Sequence, residues 1–350
     1  MKTKKYLMII AGFVFGVLAA CMTVLGNPGN MGVCIACFYR DISGALGLHR
    51  AEIVQYLRPE IMGICLGALI AAVAFKEFKP RGGSNPLVRF LLGMFLMIGA
   101  LVFLGCPVRA VIRLAGGDLN AIFGLAGVVF GAVIGIWFLR RGFNLGRATP
   151  GHTFTGYLIP LIMVLLLLFA VFRPEFIFQS KEGPGASHAP LIISLIVGLI
   201  IGALAQRTRM CFVGGWRDLF LVKDTYLFSG IVAFFVGVLV VNIITGAVNI
   251  GFEGQPVAHT NALWNFMGMV LCGLSCTLLG GCPLRQTVLA AEGDTDAGVT
   301  IMGIFLGAAV SHNFLLASSA KGVGLFGPAA VIIGLVFVCC IGYFMSEGAA

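Results

Sequence analysis

The sequence predicts an all-α polytopic membrane protein: about ten spans in two inverted five-span repeats, with short half-helices entering from both faces. Three observations predict it. The 350 residues are 59% hydrophobic and only 11% charged, whereas a soluble domain carries about 25% charged residues. Long apolar runs alternate with short polar connections. Two cysteine motifs each occur twice, Cys34 and Cys211 at a separation of 177 positions and Cys106 and Cys282 at 176. Two independent motifs that agree within one residue indicate an internal duplication.

Apolar runs of about 17–22 residues read as membrane spans. They fall at 6–25, 59–76, 87–105, 119–139 and 155–173, and again at 190–206, 226–247, 262–280, 297–317 and 326–345. The polar stretch between the two sets contains Lys181-Glu182-Gly183-Pro184-Gly185. The expected organisation is a first repeat at 1–173, an extracytoplasmic linker at 174–189 and a second, inverted repeat at 190–350. The N-terminus carries Lys2, Lys4 and Lys5 before an apolar run ending Leu18-Ala19-Ala20-Cys21, a pattern that a lipoprotein signal also has. Gly12 and Gly16 recur as Gly198 and Gly202 at the same place in the second half, which makes the run a retained first span. One departure is local: about nine extra residues, around Cys21–Asn30, precede Cys34 relative to Cys211.

Charge sets the orientation. With the N-terminus inside, the segments 1–5, 76–89, 140–152 and 206–224 hold 3, 4, 3 and 4 Lys and Arg, and with Arg285 they account for 15 of 23. Basic residues favour the cytoplasmic side, so the expectation is a prokaryotic cytoplasmic (inner) membrane with both termini cytoplasmic. Five spans per half is an odd number, so the second half is expected to be inverted, as in many transporters. The net charge of +9 is explained by these connections, and no nucleic-acid partner is expected; membrane lipid is. The 11 cysteines lie mostly in or beside apolar runs, not in the spaced loop framework of a disulfide-rich secreted domain.

The chemistry concentrates in Gly280-Gly281-Cys282-Pro283-Leu284-Arg285 and its near copy Leu104-Gly105-Cys106-Pro107-Val108-Arg109. In each, a Gly-Asp pair follows, Gly117-Asp118 and Gly293-Asp294. Glycine permits the turn and proline suits the first helical position. The cysteine is therefore expected at a helix start, over the positive end of the dipole. Arg109 and Arg285 lie about one turn on, along the same face. The second motif places Cys34 six residues before Arg40-Asp41 and Cys211 six before Arg217-Asp218. These four charges are expected to pair with each other or with neighbours. One copy alone reads as a packed turn; two matched copies read as a soft-anion site. The segments are too short and polar to span, and such broken backbone is tolerated only in a cavity or inside protein. The rows Gly127/Gly131/Gly135, Gly198/Gly202 and Gly303/Gly307 read as helix-packing glycines.

With these residues in view, the chain resembles the YeeE/YedE family of membrane proteins over essentially its whole length. The stretch Gly32-Val33-Cys34-Ile35-Ala36-Cys37-Phe38-Tyr39-Arg40-Asp41 is similar to the selenium-metabolism branch of that family. The resemblance implies a helical fold with short helices entering from both faces, import of thiosulfate or a related sulfur species, and thiols that handle the substrate at a central constriction. It implies that Cys34, Cys106 and Cys282 are pathway cysteines, with Cys211 as the symmetry mate of Cys34. It also implies a cytoplasmic sulfur-carrier partner of the SirA-like kind. Cys37 has no counterpart in the second half, where Gly214 stands.

The leading functional expectation is a transporter of a small sulfur or selenium anion, not an enzyme, with no cofactor. The anion would meet Cys34 and Cys106, then Cys282, as neutral thiols; an S–H is a weak donor and suits loose, fast conduction. Arg109 and Arg285 would supply positive potential. A transferase forming a persulfide on Cys282 or Cys106 is the alternative. A soft-metal carrier using Cys34-x-x-Cys37 and Cys272-x-x-x-Cys276 is a third, but its motif cysteines come with arginines. His312 beside Asn313 reads as a satisfied polar pair. The chain contains no Walker motif and no Asp-Lys-Thr-Gly sequence, which argues against direct ATP coupling.

Overall fold

The computed structural model describes residues 2–346. Met1 and residues 347–350, the outermost ends of the two expected repeats, lie outside the described residues, as do the side chains of Lys2, Thr3 and Lys4. The described chain is predominantly helical, with almost no strand. In order it forms α1 (Lys2–Val24), α2 (Ile35–Ala45), a 3-10 turn at Glu52–Val54, α3 (Pro59–Ala74), α4 (Pro86–Phe103), α5 (Pro107–Ala115), α6 (Asn120–Arg140) and α7 (Thr153–Phe172). A single turn, α8 (Gly183–Ala186), lies in the linker. Then follow α9 (Leu191–Thr208), α10 (Gly214–Leu221), α11 (Tyr226–Ile244), α12 (Ala262–Leu278), α13 (Pro283–Ala291), α14 (Thr295–Asn313) and α15 (Gly327–Phe344). The two-residue strands β1 (Arg81–Gly82) and β2 (Thr149–Pro150) pair antiparallel.

Nine stretches of the described residues are long and apolar enough to cross a membrane. They coincide with nine of the ten expected spans. The remaining one, expected at 297–317, is the 19-residue helix α14, which carries Asp296 in its first turn and Ser311 and His312 in its last. Its polarity has a local cause. The Asp296 carboxylate accepts bonds from the Gly83 amide (3.0 Å), the Ser84 amide (3.2 Å) and the Ser84 hydroxyl (2.6 Å), and so fastens the turn between α3 and α4. α14 packs along α4, and a helix covered by protein needs less apolar surface than one facing lipid.

The closest helix pairings join one half of the chain to the other: α1 with α11, α3 with α9, α6 with α12, and α4 with α14. Lipid is as apolar as leucine, so such crossings depend on close backbone approach over small residues. A Cβ at Gly16 would clash with the Phe234 carbonyl, and one at Gly202 with that of Ile64. The same holds for Gly131 against Val270 and Gly303 against Phe90. The glycine rows are thus occupied by neighbouring backbone. Large apolar side chains such as Ile70, Phe172, Ile244 and Phe344 remain exposed around the outside, as a lipid-facing belt requires.

The connections separate into two sets. On one face, Phe178 bonds to Ala45 (2.9 Å), Ser180 to Gln55 (2.8 Å) and Leu119 to Gly251 (3.0 Å) through the backbone. On the other, Lys79 bonds to Glu292 (2.9 Å), Arg81 to Gly293 (3.1 Å) and Asn144 to Met345 (3.2 Å). Lys79 and the end of α6 at Arg140 therefore share a face, and the linker with Lys181 lies on the opposite one. The Cys34 and Cys106 motifs lie toward the linker face, the Cys211 and Cys282 motifs toward the Lys79 face.

Candidate functional site

Four half-helices bring their N-termini together in two pairs, and a thiol stands at or just before each N-terminus. The local chain dictates this. After α4, Leu104 adopts a left-handed backbone (φ 65°), and after α12 Gly280 does the same (φ 79°). Each reversal lets the chain re-enter as a short helix. Cys106 and Cys282 are then the extended N-cap residues of α5 and α13, with Pro107 and Pro283 at the first helical position. Gly117 and Gly293 end the two copies at φ 95° and 96°. Cys34 caps α2, its sulfur accepting the Cys37 amide at 3.4 Å. Cys211 lies two residues before the N-cap of α10, Val213.

On the linker side, the α2 and α5 starts form one cluster. The Cys34 sulfur is 2.8 Å from that of Cys37 and 3.8 Å from that of Cys106. All three are fully buried. Arg109 is buried beside them. It donates to the Asn30 carbonyl (2.9 Å), the Val257 carbonyl (3.0 Å) and the Leu104 carbonyl, and reaches the Cys37 sulfur at 3.4 Å. The strap 249–259, which supplies Val257, also bonds through Gln255 to Asn30 (3.2 Å).

On the opposite side, the α10 and α13 starts form the second cluster. The Cys211 sulfur accepts two backbone amides, from Gly214 at 3.2 Å and from Cys282 at 3.3 Å. Cys211 and Cys282 are both buried, as are Cys272 and Cys276 on α12. The two clusters are tied together by α2 and α13. The Tyr39 hydroxyl and the Thr287 Oγ1 are 2.8 Å apart, each five residues after its helix's thiol. Both side chains are fully buried.

The motif charges divide unequally. Arg40 is fully buried and bonds to its neighbour Asp41 at 2.7 Å. Asp41 also takes Arg58 at 2.7 Å, and Arg58 continues to the Pro184 carbonyl (2.7 Å) and the Ser187 carbonyl (3.1 Å) of the linker. Arg113 pairs with Asp118 at 2.6 Å, both fully buried, and lies over the Phe103 ring. The second-half counterparts are nearer the surface. Arg217 pairs with Asp218 at 2.8 Å, about a quarter exposed.

Arg285 departs from the expectation. Its guanidinium pairs with Glu292 at 3.2 Å and, among the described residues, makes no bond to a thiol; a carboxylate one helix length away outcompetes a weak sulfur acceptor. His312 and Asn313 are also not the satisfied pair expected. The Asn313 amide bonds to the Leu48 carbonyl (2.9 Å), while the His312 ring lies tilted against that of His49 with 4.5 Å between centroids and finds no partner for Nε2 among the described residues. Their side chains leave the helix in different directions, so adjacency in sequence did not bring them together.

Sequence reasoning missed Arg58, Arg113, Tyr39 and Thr287. Arg113 had a signal: it lies four residues after Arg109, on the same face of α5. Arg58 is a lone arginine ahead of a span, and nothing local marks its partner seventeen residues earlier. Among the described residues, no group of three or more His, Cys, Asp or Glu side chains is arranged to hold a metal ion.

The family described as sulphur transport matches residues 207–331, a stretch that contains both Cys211 and Cys282. A protein named thiosulfate transporter TsuA, from Spirochaeta thermophila, is 31% identical over 132 residues, 38% of this chain and 39% of that one. Its namesake from Escherichia coli is 26% identical over 124 residues, 35% and 34% of the two chains. The family match and these two relatives support the resemblance to the YeeE/YedE family. The matches span little more than a third of the length of these two relatives. A protein named alpha-glucoside transport system permease protein AglG, from Rhizobium meliloti, is 26% identical over 194 residues, 55% of this chain and 44% of that one.

Proposed function

We propose that this chain is a membrane transporter of a small sulfur- or selenium-containing anion of the thiosulfate type, passed between the two thiol clusters. The observation that carries the reading is the convergence of four half-helix N-termini, in pairs, on Cys34 with Cys106 and on Cys211 with Cys282. Helix N-termini attract anions, and the thiols add donors weak enough to release what they hold. The relatives named thiosulfate transporters support the substrate class. Matched left-handed residues at Leu104 and Gly280 and at Gly117 and Gly293, with the exchanged pairings of α3 with α9 and α1 with α11, support two inverted repeats divided at 174–189.

In this reading the anion enters from the linker face, which is the outer face of a prokaryotic inner membrane, and both termini are cytoplasmic. Arg109 supplies positive charge at the outer cluster. Arg285 acts only through the ion pair with Glu292. Arg40, Asp41, Arg217 and Asp218 hold the half-helices in place. Cys37 is outside the pathway. Released sulfur on the inner side would suit a SirA-like carrier protein.

A second reading has one observation in its favour. Two backbone amides on the Cys211 sulfur would stabilise a sulfur anion there, as a persulfide-forming transferase requires. Initial uptake of labelled thiosulfate in vesicles separates the two. Cys282→Ser should retain part of the uptake if the thiol only donates a hydrogen bond. Equal, complete loss in Cys282→Ser and Cys282→Ala, with a trapped sulfur adduct on Cys211 or Cys282, would replace the transporter reading by the transferase one.

A further inference from the structure

We propose that Cys34 and Cys37 are a reversible redox pair: a small peroxide closes a disulfide between them, and closure shuts the outer thiol cluster to its anion. The second half of the statement rests on the transport reading above; the first does not. Three features carry it. The two cysteines are spaced Cys-x-x-Cys at the start of α2, with the first as the N-cap. Their sulfurs are already 2.8 Å apart, against about 2.05 Å in a disulfide. And Cys37 is the thiol that the duplicated design does not need, since Gly214 occupies its place in the second half.

The other thiol neighbours are built differently. Cys272 and Cys276 are four residues apart within α12, where Cβ atoms stand about 5–6 Å apart, too far for the about 3.5–4.5 Å a disulfide requires. Cys106 is 3.8 Å from Cys34, on a separate helix. Burial slows thiolate formation at Cys34 and Cys37, while the α2 N-terminus and Arg109, 3.4 Å from the Cys37 sulfur, oppose that effect. A peroxide is no larger than a sulfur oxyanion and can follow the same route inward.

The chemistry balances. The Cys34 thiolate attacks one peroxide oxygen, the O–O bond breaks, and the departing hydroxide takes the thiol proton as water. The Cys37 thiol then attacks the resulting sulfenic sulfur, and the second oxygen leaves as water. Two thiols and one hydrogen peroxide thus give one disulfide and two waters; a dithiol reductant reverses the change. Closure removes the Cys34 S–H donor that the pathway uses and draws its sulfur toward Cys37.

The test uses the full-length protein in membrane vesicles, treated with hydrogen peroxide and then with a thiol-blocking reagent. Mass spectrometry of the peptide spanning residues 33–40 should show a species two hydrogens lighter, with neither cysteine blocked. Thiosulfate uptake should fall with the same time course and return on addition of dithiothreitol. Saturating thiosulfate should slow the oxidation. Cys37→Ala, with Cys37→Ser as a second variant of similar size, should transport as the wild type does and resist peroxide. Absence of the Cys34–Cys37 disulfide by mass, or a peroxide-induced loss of uptake that persists in both variants, overturns the proposal. Disulfide formation in a protein that never takes up thiosulfate would retire the transport reading and leave the redox pair standing.

Discussion

The cluster of Cys34 and Cys106 and the cluster of Cys211 and Cys282 are made from the same two motifs, yet their surroundings differ. Around Cys34 and Cys106 the charges are sealed: Arg40, Arg58, Arg109 and Arg113 are all fully buried, with Asp41 and Asp118 fixed between them. Around Cys211 and Cys282 the sulfur is met by backbone amides instead, and the counterpart charges lie nearer the surface as Arg217 with Asp218 and Arg285 with Glu292. The backbone turn is shared, since Leu104 and Gly280 reverse the chain identically. One backbone turn thus serves two sites that handle charge by opposite means.

The largest expected effect tests the sealed charges directly. Asp118→Ala leaves Arg113 buried without its carboxylate, which costs about 3–5 kcal/mol. The matching Asp294→Ala removes the cap of α14 and a partly exposed partner of Arg81, worth about 1–2 kcal/mol. Thermal unfolding of the two purified variants should therefore differ clearly. Equal destabilisation would mean that the two copies do not differ in the way described.

Next in size are the thiols themselves. Cys282→Ala should reduce initial thiosulfate uptake by about 5–30-fold, the equivalent of a lost contact of about 1–2 kcal/mol, and Cys282→Ser by less. Cys106→Ser should behave like Cys282→Ser if the shared backbone geometry governs function, with membrane levels checked for each. A Cys106→Ser variant that is fully inactive beside a working Cys282→Ser would show that the sealed charges, not the turn, decide what the thiol does.

A smaller effect concerns pH on the linker face. The His49 Nδ1 accepts the Ala51 amide at 3.3 Å while Nε2 donates to the Arg40 carbonyl at 3.0 Å. His259 repeats this with Asn261 (3.3 Å) and the Val102 carbonyl (2.8 Å). Both rings are thus bonded as neutral imidazoles, and burial holds both below the usual histidine range. A folded pKa below the unfolded value of about 6.5 means that their stabilisation is complete above that pH and declines as pH falls through it. The unfolding temperature should be lower at pH 5 than at pH 7.5, and His49→Gln should reduce the difference.

The smallest effect is expected from cysteines outside both clusters. Replacing Cys21, Cys65, Cys339 and Cys340 together by alanine should leave uptake largely intact, because they lie in long helices and serve as small apolar side chains. Loss of uptake in correctly inserted protein would move the pathway away from the half-helix starts.

The all-α membrane class and nine of the spans were legible because hydropathy over some twenty residues depends on nothing beyond them. The span at 297–317 is a helix too, but Asp296, just before it, is satisfied by a turn more than two hundred residues away in the chain, which no local pattern reveals. Within the site, the helix starts at Cys106 and Cys282 could be read from glycine before and proline after. The partners of the arginines could not. Arg109 and Arg285 occupy the same place in the motif, yet one reaches a thiol and three carbonyls and the other a carboxylate.

By itself the sequence determined what is local: which stretches are apolar, where the chain reverses, which thiols stand at helix starts, and that two motifs recur at one spacing. All but the recurrence can be read from a short stretch of neighbouring residues. Only the tertiary structure decided that Cys37 lies against Cys34 and Arg109, that Arg58 shares Asp41 with Arg40, that Tyr39 meets Thr287, and that Arg285 turns to Glu292. Cys37 with Arg109 and Tyr39 with Thr287 join helices far apart in the chain, where the meeting of side chains depends on how glycine-lined helices cross; the nearer pairs depend on which rotamer the packed surroundings leave open.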